Sequence, residues 1–286
     1  MSTPEPDVPR ESARTILFQF VLFPLGIVVV GVAVFLMFGL LASEESSNRE
    51  YLQDISQGSR QRRWQAAYQL SQSIDRGEAQ KDPQLASDVT RLYEEARDDD
   101  PQVRRYLASV LGKLQHRAAV PQLIEGLSDE DVQTRIYTML ALGQIGDRRA
   151  VPAVSAYSQD EDPGLRKTAV YVLGEIGDPS VRPTLIRALG DDAADVRWNA
   201  AVALSRFDDP AAVPVLREML DRRNLEGITG MSEEQKANAM IIAMAPYLRV
   251  GGAEARQRLE AVANGDPNLS VQAAAKEALR GGDGAH

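Results

Sequence analysis

Hydrophobic positions between residues 98 and 222 follow two periods at once. Over short stretches they fall three and four apart, as in Leu165, Ala169, Val172, Leu173 and Ile176, the spacing that puts side chains on one face of a helix. Over longer range the whole pattern returns every 31 residues, carrying Leu111, Leu142, Leu173 and Leu204 in one column. Polar residues keep the same register: Arg104, Arg135, Arg166 and Arg197 form a second column, Asp98, Asp129, Asp160 and Asp191 a third, and Pro121, Pro152, Pro183 and Pro214 a fourth. A fixed period of this length marks stacked units, each of which buries its apolar face only against its neighbours.

One unit shows the local physics. Asp162-Pro163 supplies an N-cap oxygen and a ring whose fixed φ suits the first helical turn, so the sequence predicts a helix from there to Ile176. Gly177 can take the left-handed conformation that closes it, and Asp178-Pro179 makes the turn. A second helix follows with Val181, Leu185, Ile186 and Leu189 on one stripe and Pro183 early enough to leave no intrahelical donor missing. The unit is a short antiparallel helix pair.

The run Asp162-Pro163-x-Leu165-Arg166 through Val172-Leu173-Gly174-x-Ile176-Gly177-Asp178, with Val181 and Pro183, resembles the HEAT-like repeat of phycobilisome lyases and many bacterial scaffold proteins. The resemblance implies an all-α, right-handed HEAT-like α-solenoid, close over residues 98–222 and looser over 59–279. With no catalytic motif along the chain, the expected function is a scaffold for other proteins in a membrane-associated assembly, with an accessory or catalytic factor of the chromophore-lyase type, by analogy of fold, as the alternative. In such solenoids the second helix of each pair commonly lines the inner face. Polar positions on or just after these helices, Arg187, Arg217, Glu218, Arg222 and Arg223, are therefore candidates for partner contact.

Around the regular units the pattern changes. Residues 1–14, with Pro4, Pro6 and Pro9 among polar neighbours, read as a flexible tail. Ile16–Leu41 then runs 26 residues without a charge, about 39 Å as a helix, so residues 15–42 are expected to form one transmembrane helix. A cleaved secretory signal ending near Ala42-Ser43 is the rival reading, with an apolar run longer than such signals use. Arg10 and Arg14 before the span against Arg49 after it tilt the expectation towards an extracytoplasmic solenoid on a single-pass membrane protein, in contact with lipid through residues 15–42. Residues 43–58 form a juxtamembrane segment, and 59–97 an N-terminal cap in which Arg63-Trp64 aligns with Arg197-Trp198. After the four regular repeats, residues 223–231 are an insertion loop that the period does not require, bearing the apolar trio Leu225, Ile228 and Met231 as further candidates for partner contact. Ser232-x-x-Gln235 reads as a capping box opening divergent repeats over 232–280, and 281–286 is a tail.

Composition narrows the chemistry. A formal net charge of −9 opposes a general attraction to nucleic acid, and none is expected as a partner. There is no cysteine and there are two histidines, His116 and His286, so a nitrogen- or sulfur-ligated metal has few ligands to draw on. HEAT-like hydroxylases hold iron with His-Glu pairs, and neither histidine here is followed by Glu. No cofactor, metal site or catalytic constellation is expected. The Arg and Asp columns have a structural explanation, capping each unit and bridging to the next, and Trp64 and Trp198 read as packing residues.

Overall fold

The computed structural model describes residues 25, 28–30, 32, 48–74, 83–97 and 100–282. Contacts divide the chain into two units, residues 1–47 and 48–286. In the first, Leu25, Val28, Val29, Val30 and Val32 are helical, with exposed side chains. The expectation of a single-pass membrane protein touching lipid is corrected here: no helix among the described residues is long and apolar enough to cross a membrane. The longest of them, Glu233–Val250, has 18 residues and carries Glu233, Glu234, Lys236 and Arg249. At about 1.5 Å per residue it falls short of a hydrocarbon core of about 30 Å. The other positions of residues 15–42 lie outside the described residues, as do residues 1–14 and 283–286.

The second unit is an all-helical solenoid, with no strand among the described residues. It opens with α1 (Asn48–Gln57), α2 (Arg60–Ser73) and α3 (Pro83–Glu95), with α1 packed on both of the others. α1 lies in the stretch read as juxtamembrane, yet its Ile55 is fully buried and the Ile55 carbonyl accepts from Arg63 Nε at 2.7 Å. Four helix pairs follow in register. They are α4 (Pro101–Lys113) with α5 (Val120–Gly126), α6 (Val132–Ile145) with α7 (Val151–Ala156), α8 (Pro163–Ile176) with α9 (Arg182–Ala188), and α10 (Ala194–Ser205) with α11 (Val213–Met219). The chain ends in α12 (Arg222–Glu226), α13 (Glu233–Val250), α14 (Gly252–Gly265) and α15 (Leu269–Gly282).

The long first helices α4, α6, α8 and α10 stack side by side, and each short second helix packs on the long helix of the following unit. Leu111, Leu142, Leu173 and Leu204 are fully buried between these layers. Helix starts are fixed by side chains: Asp100, Asp131 and Asp162 accept backbone N–H groups of Gln102, Thr134 and Gly164 at 2.9, 2.7 and 2.7 Å. Ser232 and Gln235 form the reciprocal capping box on α13.

The Arg and Asp columns join successive units. Asp129 and Asp191 each accept the backbone N–H two residues on, at 2.8 and 2.9 Å. Each also receives a bidentate guanidinium from the preceding unit, Arg104 on Asp129 at 2.5 and 2.9 Å and Arg166 on Asp191 at 2.8 and 2.9 Å. Arg197 departs from the pattern, donating to Glu218 at 2.8 Å and to the Asp191 and Asp192 carbonyls. Arg135 departs further, with its Nε buried and no acceptor among the described residues.

Candidate protein-interaction site at the repeat junction

The regular stack ends after α11, where the ten residues from Arg222 to Met231 separate it from α13. This segment begins as a helix, α12, rather than as the insertion loop expected from the break in the period. Asp221 caps it by accepting from the Arg223 N–H at 3.1 Å, and Leu225 drops into the core with no exposure. Ile228 and Met231 are half-buried against the core, and Gly230 turns the chain at φ 82°. Arg222 fastens the segment from beneath, reaching Asp266 at 2.7 and 3.1 Å and Glu233 at 3.0 Å. Asp266, chiefly by hydrogen bonding, holds the Arg222 guanidinium above its ordinary pKa. Arg222 and Leu225 are thus framework residues of the junction.

Two hollows flank this turn, and Ile228 lines both. The first, of about 430 Å³, lies between α10 and α13 and is walled by Trp198, Val202, Ile228, Met231, Ala239 and Ile242, with Asn199 and Asn238 at its polar edge. Trp198 is nearly buried and its indole N–H has no acceptor among the described residues. Ile242, which lines the same hollow, is 56% exposed. The second hollow, of about 570 Å³, is lined by Arg197, Arg217, Glu218, Asp221, Asn224 and Arg258, among others. Arg217 contacts Glu254 at 3.0 Å, and the Tyr247 hydroxyl together with Glu254 keeps its pKa raised.

The structure therefore gathers Arg217, Glu218, Ile228 and Met231 at one junction, with Leu225 and Arg222 supporting it. Arg223 is exposed beside them. Arg187 is not brought there. It lines a separate hollow of about 200 Å³ with Arg166 and Asp191. A larger hollow of about 780 Å³ near α3 and α5 is lined by Arg97, Arg104, Glu125 and Asp129, which are engaged with one another as Arg97–Glu125 and Arg104–Asp129.

Sequence reasoning missed the α10 and α13 walls, Trp198, Val202, Asn238 and Ile242. One signal was present. The stripe Ala237, Met240, Ile241, Met244 accounts for the buried face of α13 and leaves Ile242 over, an aliphatic residue outside the face that packs. Among the described residues no cluster of His, Asp or Glu has metal-binding geometry.

Stacked helix pairs, with no strand among the described residues, define a helical-repeat solenoid. The HEAT repeats family matches residues 89–163 and 153–234, together just over half of the chain, and the chain belongs to that family. No curated protein matches it. Among solved structures, it is similar to the complex of CpcE and CpcF of phycocyanin lyase from Nostoc sp. PCC7120, at 20% identity and a TM-score of 0.55 over 83% of this chain and 88% of that one. It is also similar to YibA of Escherichia coli, at 16% identity and a TM-score of 0.53 over 84% and 83%. Both likenesses concern the fold.

Proposed function

We propose that this HEAT-repeat protein is a scaffold whose protein partner docks at the junction of α10, the Gly227–Met231 turn and α13. The observation that carries the reading is Ile242, 56% exposed beside the Trp198 hollow, in a place that stacking of regular units does not require. Interfaces draw most of their free energy from a few central anchors, and tryptophan and arginine are over-represented among these. Both are present here, in adjoining hollows. The CpcE and CpcF structure, itself a complex of two proteins, agrees with such a use of the fold.

The test is co-purification with tagged wild-type chain and with Ile242→Asp. An exposed position tolerates the change within about 0.5 kcal/mol, so the thermal midpoint should stay in place. The dominant partner should be lost by about tenfold or more, equivalent to about 1.4 kcal/mol. Undiminished capture would place the interface elsewhere on the solenoid. The alternative, an accessory factor of the chromophore-lyase type, predicts a coloured or covalently modified partner in the same eluate.

A further inference from the structure

We infer that α2, α4, α6 and α8 together present a second interaction surface, a stripe of tyrosines that takes a proline-rich segment of a partner protein in the polyproline II conformation. The stripe is separate from the α10–α13 junction and stands or falls by itself.

The stripe is continuous. Tyr68 of α2 meets Tyr106 of α4 edge to face with ring centroids 5.2 Å apart, and Tyr106 meets Tyr137 of α6 in the same way at 6.4 Å. Leu140, one turn further along α6, shares the wall of a hollow of about 760 Å³ with Tyr171 of α8. Tyr68 and Tyr171 are 43% and 44% exposed, and the three side chains between them are half-buried.

Charge is absent from the stripe and compensated beside it. Its two rows read Tyr106 and Ser109 on α4, Tyr137 and Leu140 on α6, and Thr168 and Tyr171 on α8, without a carboxylate or a cation. To one side Arg105 holds Asp131 at 2.9 Å and Lys167 holds Asp195 at 2.8 Å, and to the other Arg206 holds Glu175 at 2.7 Å. Of the cations lining the hollow, Lys113 donates to the Ser71 carbonyl and Arg117 lies close to Asp147. A charged segment would lose water along the rings and find no opposite charge there.

Hydrogen-bonding capacity selects the class of segment. The hydroxyls of Tyr68, Tyr106, Tyr137 and Tyr171 have no partner among the described residues, and all four are open to solvent. Burial, with Tyr137 and Tyr68 alongside, pushes the Tyr106 phenol above its ordinary pKa, so it stays protonated and can donate. The helix backbones beneath are paired within their own helices, and a strand finds no edge to extend. A proline-rich segment fits this offer. It lacks most N–H groups and carries carbonyls without internal hydrogen bonds, so it needs donors and ring faces rather than backbone acceptors. The spacing agrees. A polyproline II helix turns once in three residues, about 9.3 Å, and packed helices lie about 8–10 Å apart, so every third residue meets the next helix of the stack.

The test is fluorescence anisotropy of labelled decaproline titrated with purified full-length chain, beside decapeptides of glycine and serine, of glutamate and of lysine. Decaproline should bind saturably and keep its affinity as salt is added, and the other three should bind about tenfold more weakly or less. Tyr68→Ala and Tyr171→Ala, both at exposed positions, should each weaken decaproline by about tenfold. Tyr106→Phe, Tyr137→Phe and Tyr171→Phe combined remove only hydroxyls that the fold does not use, and should weaken it by about threefold or more with an unchanged thermal midpoint. Absence of saturation, equal binding of a control peptide, or full binding by both alanine variants would overturn the inference. Decaproline binding lost on Ile242→Asp would also overturn it, by seating the segment at the junction. Capture of the natural partner by Ile242→Asp tests the junction independently of these titrations.

Discussion

At the scale of single residues, the junction separates side chains that hold the fold from those that face outward. Leu225 has no exposure, whereas Ile242 is more than half exposed. The two differ in what their loss should cost. Leu225→Ala removes buried methyl groups and leaves a cavity, for which about 2–5 kcal/mol is usual, so its thermal and urea midpoints should fall well below wild type. A midpoint within experimental error of wild type would mean that α12 collapses onto the space at no cost. The burial of Leu225 was not legible in the sequence because α12 has five residues, too few for a period to show. In the apolar trio the sequence displays composition but not direction, and the fold sends Leu225 inward while leaving Ile228 and Met231 partly open.

At the scale of elements, the first helices approach so closely that glycine is needed between them. A Cβ added at Gly174 would stand 2.6 Å from the Ala203 Cβ, and one at Gly112 would stand 2.8 Å from the Ala141 backbone. Alanine would gain about 1 kcal/mol of helix propensity at either place. Overpacking at about 1–3 kcal/mol opposes that gain, and the clash with backbone at Gly112 has no flexible atom to move. Gly112→Ala and Gly174→Ala should therefore lower the unfolding midpoint. Gly143→Ala, whose Cβ would press on the Val172 methyls at 3.2 and 3.3 Å and reach its backbone only at 3.6 Å, should sit near wild type. A rise in stability for Gly174→Ala would show that α8 and α10 slide apart freely. The turn that closes each first helix gives a change of opposite sign. Gln115, Gly146, Gly177 and Asp208 occupy one column of the repeat and all have positive φ, from 52° to 68°. The left-handed region costs a side-chain-bearing residue about 1–2 kcal/mol, and glycine returns roughly half of that through the freedom of the unfolded chain. Gln115→Gly should raise the midpoint by the equivalent of about 0.5–1 kcal/mol. Asp208→Gly should change less, because aspartate tolerates this conformation. Calorimetry of the two variants distinguishes these outcomes.

At the scale of the whole solenoid, what could be read from the chain is what repeats. The helix pairs, their caps and the Arg and Asp columns were legible because each recurs at 31 residues and has a local cause. The junction was legible only as a gap in that register, since its walls come from α10 and α13, some 40 residues apart, and no local pattern joins Trp198 to Ile242. That same gap carries a dynamic consequence. Stability in a solenoid is close to a sum of unit terms and nearest-neighbour contacts, so a weakened contact divides the stack into parts that open separately. α10 touches α13 along a shorter stretch than it touches α8, and the segment between them is held largely by Leu225 and by the Arg222 contacts to Asp266 and Glu233. Amide hydrogen exchange should accordingly find residues 222–231 opening more readily than α4 to α11, with α13 to α15 behaving as a block of their own. A protein partner bound across Trp198 and Ile242 would bridge the two parts, so adding the co-purified partner should slow exchange at residues 222–231 and leave α4 to α7 unchanged. Uniform slowing along the chain would show a single cooperative body, and no slowing at the junction would mean that the partner binds elsewhere.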